Sequence, residues 1–298
     1  MAYKNYLSVM FKIYQHKDYI DVILRDNKKQ RWAYNNCVNY TFFKNFDFNN
    51  FEDYFNSKVD YFEFKYKGKL VKLYGIREGN GSIVDVFVNN DYSFLTPENE
   101  ILIDIGAGIG DSSIYFGLNN VKKIIALEPY PYSYNFSLKN IEINNLSDKI
   151  MILNAGYGSD SEIKIDENKV TNAGSDLIKS QNGKIIQLFS LKTLMDNYGL
   201  EDNLLLKMDC EGCEYNLLKE ENEVLKKFKR IQIEYHYGYE RLVSKLKECD
   251  FNVKYTKPMK LYNSESSNPD MHLGYIYANK HWWELSQYWN RIRIILLV

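Results

Sequence analysis

The chain has few prolines and few cysteines, five and four in 298 residues. Scarce proline with no Gly/Ser tract excludes a collagen-like or linker-rich protein. Four cysteines are too sparse for a disulfide framework in a chain this long, so reduced thiols are expected. Surplus charge is also missing. Thirty-eight basic residues against 39 acidic ones leave a net charge of -1, and no whole-molecule field draws in nucleic acid. No spanning segment is evident either. Lys4, Lys12, His16 and Lys17 interrupt the first twenty residues, which excludes a signal peptide, and later apolar runs are strand-sized. The expectation is a soluble, cytoplasmic protein. With 45% hydrophobic and 26% charged residues, the chain has ample material for a core.

Three regions are expected. Residues 1–95 read as a helical and hairpin extension, with Leu7, Met10, Phe11 and Tyr14 at helical spacing. In the same region, alternating Tyr61–Tyr66 and Leu70–Tyr74 flank Lys67-Gly68-Lys69 as a hairpin, and Ser82–Asn90 reads as a short helix. From residue 96 to 280, β-rich runs alternate with helical segments, the pattern of βαβ units around a parallel sheet. Strands are predicted at Ile101–Ile105, Lys123–Leu127, Ile150–Asn154, Leu204–Met208 and Ile231–Tyr235. Helices are predicted at Asp111–Leu118, Tyr132–Asn145 and Tyr239–Cys249. Glu162–Ile165 and Ile185–Phe189 suggest an inserted hairpin, and Asn252–Tyr255 with Leu273–Ala278 two closing strands. Residues 281–298 form an aromatic and apolar tail.

The strongest chemical signal is Asp104-Ile-Gly106-Ala107-Gly108-Ile-Gly110-Asp111, where a hydrophobic strand runs into glycines and then a helix. Glycines permit a tight turn and a close approach of backbone to ligand. The spacing is G-x-G-x-G rather than the G-x-G-x-x-G of a dinucleotide fold. Asp104 would repel a pyrophosphate but suits a cationic ligand such as S-adenosylmethionine. The next strand ends in Glu128-Pro129, about twenty residues past the turn, where a carboxylate can bind ribose hydroxyls.

These segments, with Lys139-Asn140-Ile-Glu-Ile-Asn144, Lys207-Met-Asp209-Cys-Glu211-Gly-Cys-Glu214 and Glu234-Tyr-His236, resemble the FkbM family of methyltransferases. Phe87 and Tyr92 fit the family's lead-in, and the resemblance covers about residues 70 to 280. It implies an α/β class I methyltransferase fold: a Rossmann-like three-layer sandwich whose seven-stranded, mostly parallel sheet has an antiparallel last strand. It also implies S-adenosylmethionine as cofactor and O-methyl transfer to a sugar or natural-product hydroxyl. Cofactor contacts are expected from Asp104, Gly106, Ala107, Gly108, Gly110, Asp111, Glu128, Pro129 and Asp209.

In an open α/β sheet, ligands sit beyond the carboxyl ends of the strands, where Asp209, Glu211 and His236 emerge. These three are the catalytic candidates: His236 reads as the general base or as a histidine tied to backbone at a strand end, and Asp209 as a base or a holder of the cofactor's methionine end. Asp209, Glu211, Glu234 and His236 could instead converge on a divalent cation, a reading not favoured. Lys207 reads as a lysine snorkelling from a strand. Cys210 and Cys213 have CxxC spacing but lack further ligands, and read as small side chains filling a turn. The polar stretch Thr256–His272 and the segment Asn172-Ala-Gly174-Ser175 are weak substrate-side hints. The tail, with Trp282, Trp283 and Trp289, packs on the protein or touches a membrane surface. The acceptor is expected to be a small molecule or glycan and not nucleic acid. The rivals are an RNA ribose 2′-O-methyltransferase and a non-catalytic adenosylmethionine-binding module.

Overall fold

The computed structural model describes residues 4–15, 17, 19–23, 27, 29–33, 53, 58–76, 83–166, 183–260 and 272–280. The tail 281–298, the segment 172–175 and the middle of the 256–272 connection lie outside the described residues. The chain divides into two compact units, Met1–Val71 with Ser82–Asn90, and Lys72–Gly81 with Asp91–Val298. Among the described residues, no helix is long and apolar enough to cross a membrane.

In the first unit, helix α1 (Tyr6–Tyr14) precedes the antiparallel pair β1 (Tyr19–Ile23) and β2 (Lys29–Ala33). The expected apolar stripe of α1 faces outward: Leu7, Phe11 and Tyr14 are exposed, while Val9, about 200° around the helix from Leu7, is fully buried. The β1–β2 pair was not anticipated, although Ile20 and Val22 alternate inward with a period of two. The predicted hairpin is present as β3 (Tyr61–Tyr66) and β4 (Lys69–Tyr74). Lys67 (φ 49°) and Gly68 (φ 77°) are both left-handed at its turn, as a two-residue hairpin requires. Phe62, Phe64 and Tyr66 turn inward, and Phe64 meets Phe87 edge to face. The expected helix near residues 82–90 is a single π-helical turn, Val84–Val88.

The second unit is built on a sheet of order β13-β15-β12-β11-β5-β6-β7, with short β14 (Met259–Lys260) paired to β15. The strands are β5 (Ile101–Ile105), β6 (Lys123–Leu127), β7 (Ile150–Leu153), β11 (Leu204–Met208), β12 (Phe228–Tyr235), β13 (Asn252–Tyr255) and β15 (His272–Asn279). From β12 to β7 every pairing is parallel, and β15 runs antiparallel between β12 and β13. The central strands are nearly continuous apolar runs because both faces are covered; β11 is buried throughout. This is the expected mostly parallel class I methyltransferase sheet with its antiparallel last strand.

Helices α2 (Asp111–Gly117), α3 (Pro131–Ile143), α4 (Leu191–Tyr198), α5 (Asn222–Leu225) and α6 (Glu240–Glu248) follow the strands. In α6, Leu242, Val243 and Leu246 are buried together with Phe251 and Ile276 in the large core cluster, the i, i+4 face of an amphipathic helix. Asn140 and Asn144 on α3 act as cross-braces. Asn140 accepts from the Tyr74 amide (2.7 Å) and donates to the Ile109 carbonyl (2.9 Å). Asn144 accepts from the Lys72 amide and donates to its carbonyl.

The predicted third strand departs from expectation at its end. Beyond β7 the chain continues as β8 (Ala155–Tyr157), which leaves the main sheet and pairs in parallel with β10 (Lys184–Phe189). β9 (Ser161–Ile165) pairs antiparallel with β10, completing the inserted hairpin as a three-stranded sheet.

Candidate active site

The glycine turn forms where β5 must give way to α2. Gly106, Gly108 and Gly110 all have left-handed φ, 79°, 55° and 86°. At Gly106 no other residue fits, because an added Cβ would stand 1.8 Å from the Asp209 carbonyl oxygen. The turn therefore crosses directly over the start of the loop that follows β11. The amides of Gly106 and Ala107 both donate to the Leu127 carbonyl, fixing the turn to the end of β6.

Glu128, at that end, is 2% exposed. Its two oxygens accept from the Gly108 amide (2.8 Å) and the Tyr130 amide (2.9 Å), and each keeps a lone pair for a hydroxyl. Burial, only partly offset by these amides, pushes its carboxyl up to about 8. Pro129 follows, and its carbonyl, like that of Glu128, accepts from Asn154 (3.0 Å).

Asp104 sits beneath the turn, fully buried. Ser112 (2.7 Å) and Ser113 (2.6 Å) donate hydroxyl hydrogen bonds to its Oδ2, and the Lys207 ammonium lies 3.1 Å from its Oδ1. Lys207 also donates to the Gly106 carbonyl at 2.7 Å. It is 1% exposed and so does not snorkel. Facing Asp104 and Asp209, its ammonium is held above the usual lysine range against the pull of burial. Asp104 and Lys207 hold the turn from behind. Asp111 starts α2, where its Oδ1 accepts from the Ser112 amide (3.1 Å) and its charge suits the helix N-terminus.

The second half of the site is the loop after β11. Glu211 (φ 54°) and Gly212 (φ 113°) are consecutive left-handed residues. This turn brings Cys210 and Cys213 into a disulfide, Cα–Cα 5.5 Å, which corrects the expectation of reduced thiols there; Cys249 is free and buried. Asp209, half-buried, accepts at Oδ2 from the Tyr92 hydroxyl (3.1 Å). Tyr92 is placed by β12: Gln232 donates to the Asp91 carbonyl (2.8 Å), and Arg230 to the carbonyls of Phe94 and Thr96. Burial and the negative charge of Asp209 raise the Tyr92 phenol well above its ordinary value.

His236 follows β12 and is 1% exposed. Its Nδ1 lies 3.0 Å from Glu214 Oε1 and its Nε2 3.2 Å from Glu211 Oε2. The same Glu214 oxygen accepts from the His236 backbone amide (2.9 Å), while the other accepts from the Gly212 amide (2.9 Å). Burial alone would lower the imidazole, but the bond to Glu214 and the charges of Glu214, Glu211 and Asp209 win and raise it to about 10. His236 is thus an imidazolium at neutral pH. Glu214, fully buried, is the residue whose role the sequence reasoning missed. Its position three residues after Glu211, on a short 3-10 helix (Cys213–Lys219), was the available signal.

Asp209, Glu234 and His236 bring one ligand-type atom each within 4.8 Å of one another. Both ring nitrogens of His236 already face carboxylates, so a cation at this set would have to displace its contact with Glu211 or Glu214. Glu234 is half-buried. Burial and the nearby charge of Asp209 raise its carboxyl well above the ordinary range.

A glycine turn at the carboxyl end of β5, a carboxylate at the end of β6 and an acidic loop after β11, on a sheet whose last strand is antiparallel, define a class I methyltransferase domain. Residues 104–253 match the Methyltransferase FkbM domain, and the chain belongs to that family. It is 26% identical to methyltransferase sdnD of Sordaria araneosa over 170 residues, 45% of this chain and 66% of that protein. It is 34% identical to a tRNA(Phe) (4-demethylwyosine(37)-C(7)) aminocarboxypropyltransferase of Pyrococcus horikoshii over 56 residues, 19% of this chain and 20% of that one. The matched region thus spans just under two thirds of the first relative and a fifth of the second. Among solved structures, M. jannaschii TYW2 in complex with AdoMet aligns at 17% identity over 74% of this chain and 85% of that one, with a TM-score of 0.40.

Proposed function

We propose that the protein is an S-adenosylmethionine-dependent O-methyltransferase acting on a hydroxyl of a sugar, glycan or small natural product. The observation that carries the cofactor half of this reading is the glycine turn held beside Glu128. The turn rests on a buried aspartate, and the oxygens of Glu128 are oriented by two backbone amides.

Glu128 would hold the ribose hydroxyls, the glycine turn from Gly106 to Gly110 would lie against the nucleoside, and Asp209 would face the amino-acid end. Asp104 and Asp111 support the turn rather than touch the ligand. When bound, the cofactor supplies an electrophilic methyl group on a sulfonium. The protein must orient the acceptor oxygen in line and receive its proton. Asp209 and Glu211, on the loop after β11, would face the acceptor. His236 acts as a fixed cation that holds Glu211 in place, because both its nitrogens are engaged.

The test is calorimetric titration with adenosylmethionine and NAD, followed by transfer of a tritiated methyl group to methyl glycosides, small phenols and tRNA. Binding of adenosylmethionine alone, with label in glycosides or phenols, supports the reading. Binding of NAD, or label only in tRNA, overturns the cofactor or the acceptor class respectively. Tight binding with no transfer to any acceptor favours the non-catalytic module.

A further inference from the structure

The general base is the part of the proposed reaction that the sequence assigned to His236. His236 cannot fill it while both ring nitrogens face carboxylates in a buried position. Glu214 is fully buried and holds the His236 and Gly212 amides. Glu211 is committed to the imidazolium, and Asp209 accepts from Tyr92. Glu234 differs from all of these. Its carboxylate is half-buried, lies within 4.8 Å of ligand-type atoms of Asp209 and His236, and accepts no hydrogen bond from any described residue.

We propose that Glu234 is the proton acceptor of the site, holding a proton beside Asp209 in the free protein and surrendering it when the cationic cofactor binds, so that the base is formed only in the loaded enzyme. This rests on the methyl-transfer reading above. In the step itself, the acceptor oxygen bonds the methyl carbon as the carbon–sulfur bond breaks. That bond's electron pair stays on sulfur, which becomes neutral, and the hydroxyl proton passes to Glu234.

The charged and titratable groups around Glu234 decide the balance. Asp209 and Glu211, on the loop after β11, disfavour its ionisation, while His236 at the end of its own strand and Lys207 on β11 favour it. Tyr92 reaches the same space and feels both Glu234 and Asp209; Tyr275 is the β15 neighbour of Glu234 in register. Burial and Asp209 prevail, so the carboxyl sits well above its ordinary range. Lys207 is already compensated by Asp104 at 3.1 Å. An added positive charge at the strand ends would favour the ionised carboxylate and release the proton. Adenosylmethionine carries one more positive charge than adenosylhomocysteine, which makes the two a matched pair of probes.

The experiment is calorimetric binding of adenosylmethionine and adenosylhomocysteine near neutral pH, in phosphate and in Tris, whose ionisation enthalpies differ. The wild type is expected to release a fraction of a proton per adenosylmethionine bound, and less with adenosylhomocysteine. Glu234→Gln should lose the difference between the two ligands while its adenosylmethionine Kd stays within about threefold. Glu234→Asp, a shorter carboxylate, should restore part of it. If the wild type releases no proton, or Glu234→Gln releases as many as the wild type, the proposal is wrong whether or not an acceptor is known. With methyl glycosides as acceptors, Glu234→Gln should lower kcat about 10²- to 10⁴-fold; transfer at the wild-type rate overturns the assignment of the base and leaves O-methyl transfer standing. A wild type that methylates no glycoside overturns the sugar reading alone, and proton release still judges Glu234.

Discussion

Lys207 on β11 and Asp104 on β5 face each other at 3.1 Å with both side chains out of water. They are neighbours in register across the two central parallel strands. The pair does more than neutralise itself: the same ammonium donates to the Gly106 carbonyl, and the same carboxylate takes two serine hydroxyls from the first turn of α2. Removing one partner leaves an uncompensated buried charge, whose cost exceeds the pair's own net worth. Lys207→Met is therefore expected to lower the unfolding free energy by about 3–5 kcal/mol, read by urea denaturation. A loss below about 1 kcal/mol would refute the buried pairing.

Gly106 and Gly199 both adopt left-handed φ, but only the first faces another backbone. Gly199→Ala meets open space at the end of α4 and should cost about 1 kcal/mol. Gly106→Ala forces the turn away from the Asp209 carbonyl, and should cost well over twice as much and abolish adenosylmethionine binding. Thermal melts with and without cofactor separate the two, and equal losses would refute the close crossing.

The His236 imidazole is raised from an ordinary 6.5 to about 10. A group with a raised folded-state value contributes stability that is complete below its unfolded value and is lost as pH rises through the folded one. The stability gap between wild type and His236→Asn is therefore expected to be largest below about pH 6.5 and to shrink toward about pH 10. Urea titrations across that range measure it. A gap that grows with pH would mean a neutral histidine and would reopen its role as base.

Glu128→Gln replaces one acceptor oxygen with an amide that would oppose the Gly108 or Tyr130 N–H. Adenosylmethionine affinity should fall on the order of tenfold or more, about 1.4 kcal/mol at least, as read by calorimetry. An unchanged Kd would remove Glu128 from the site.

Peptide mapping of protein purified in air, without reductant, should find Cys210 and Cys213 closed to iodoacetamide and open to it after reduction. Alkylation of both before reduction would return the loop to the dithiol form.

Much of the second unit follows from local pattern. Nearly continuous apolar runs such as Leu204–Met208, broken only by Lys207, read as central parallel strands, and the glycines that follow Asp104 mark a sharp turn into a helix. Glycine spacing and the acidic strand ends sufficed for the cofactor class, because backbone freedom and charge sign are properties of the residues themselves, while the class I fold followed from the family resemblance. The first unit was less legible. Leu7, Phe11 and Tyr14 share a face by period alone, and which face is covered depends on what the rest of the chain supplies; here it covers Val9. The same limit applies in the site. Asp209, Glu211, Glu214, Glu234 and His236 are all visible in sequence, but protonation depends on distances of about 3 Å between segments twenty or more residues apart. Only the fold puts two carboxylates on one imidazole, leaves Glu234 without a hydrogen-bonding partner among the described residues, and turns a lysine inward to meet Asp104, since electrostatic energy is set by neighbours in space and not along the chain.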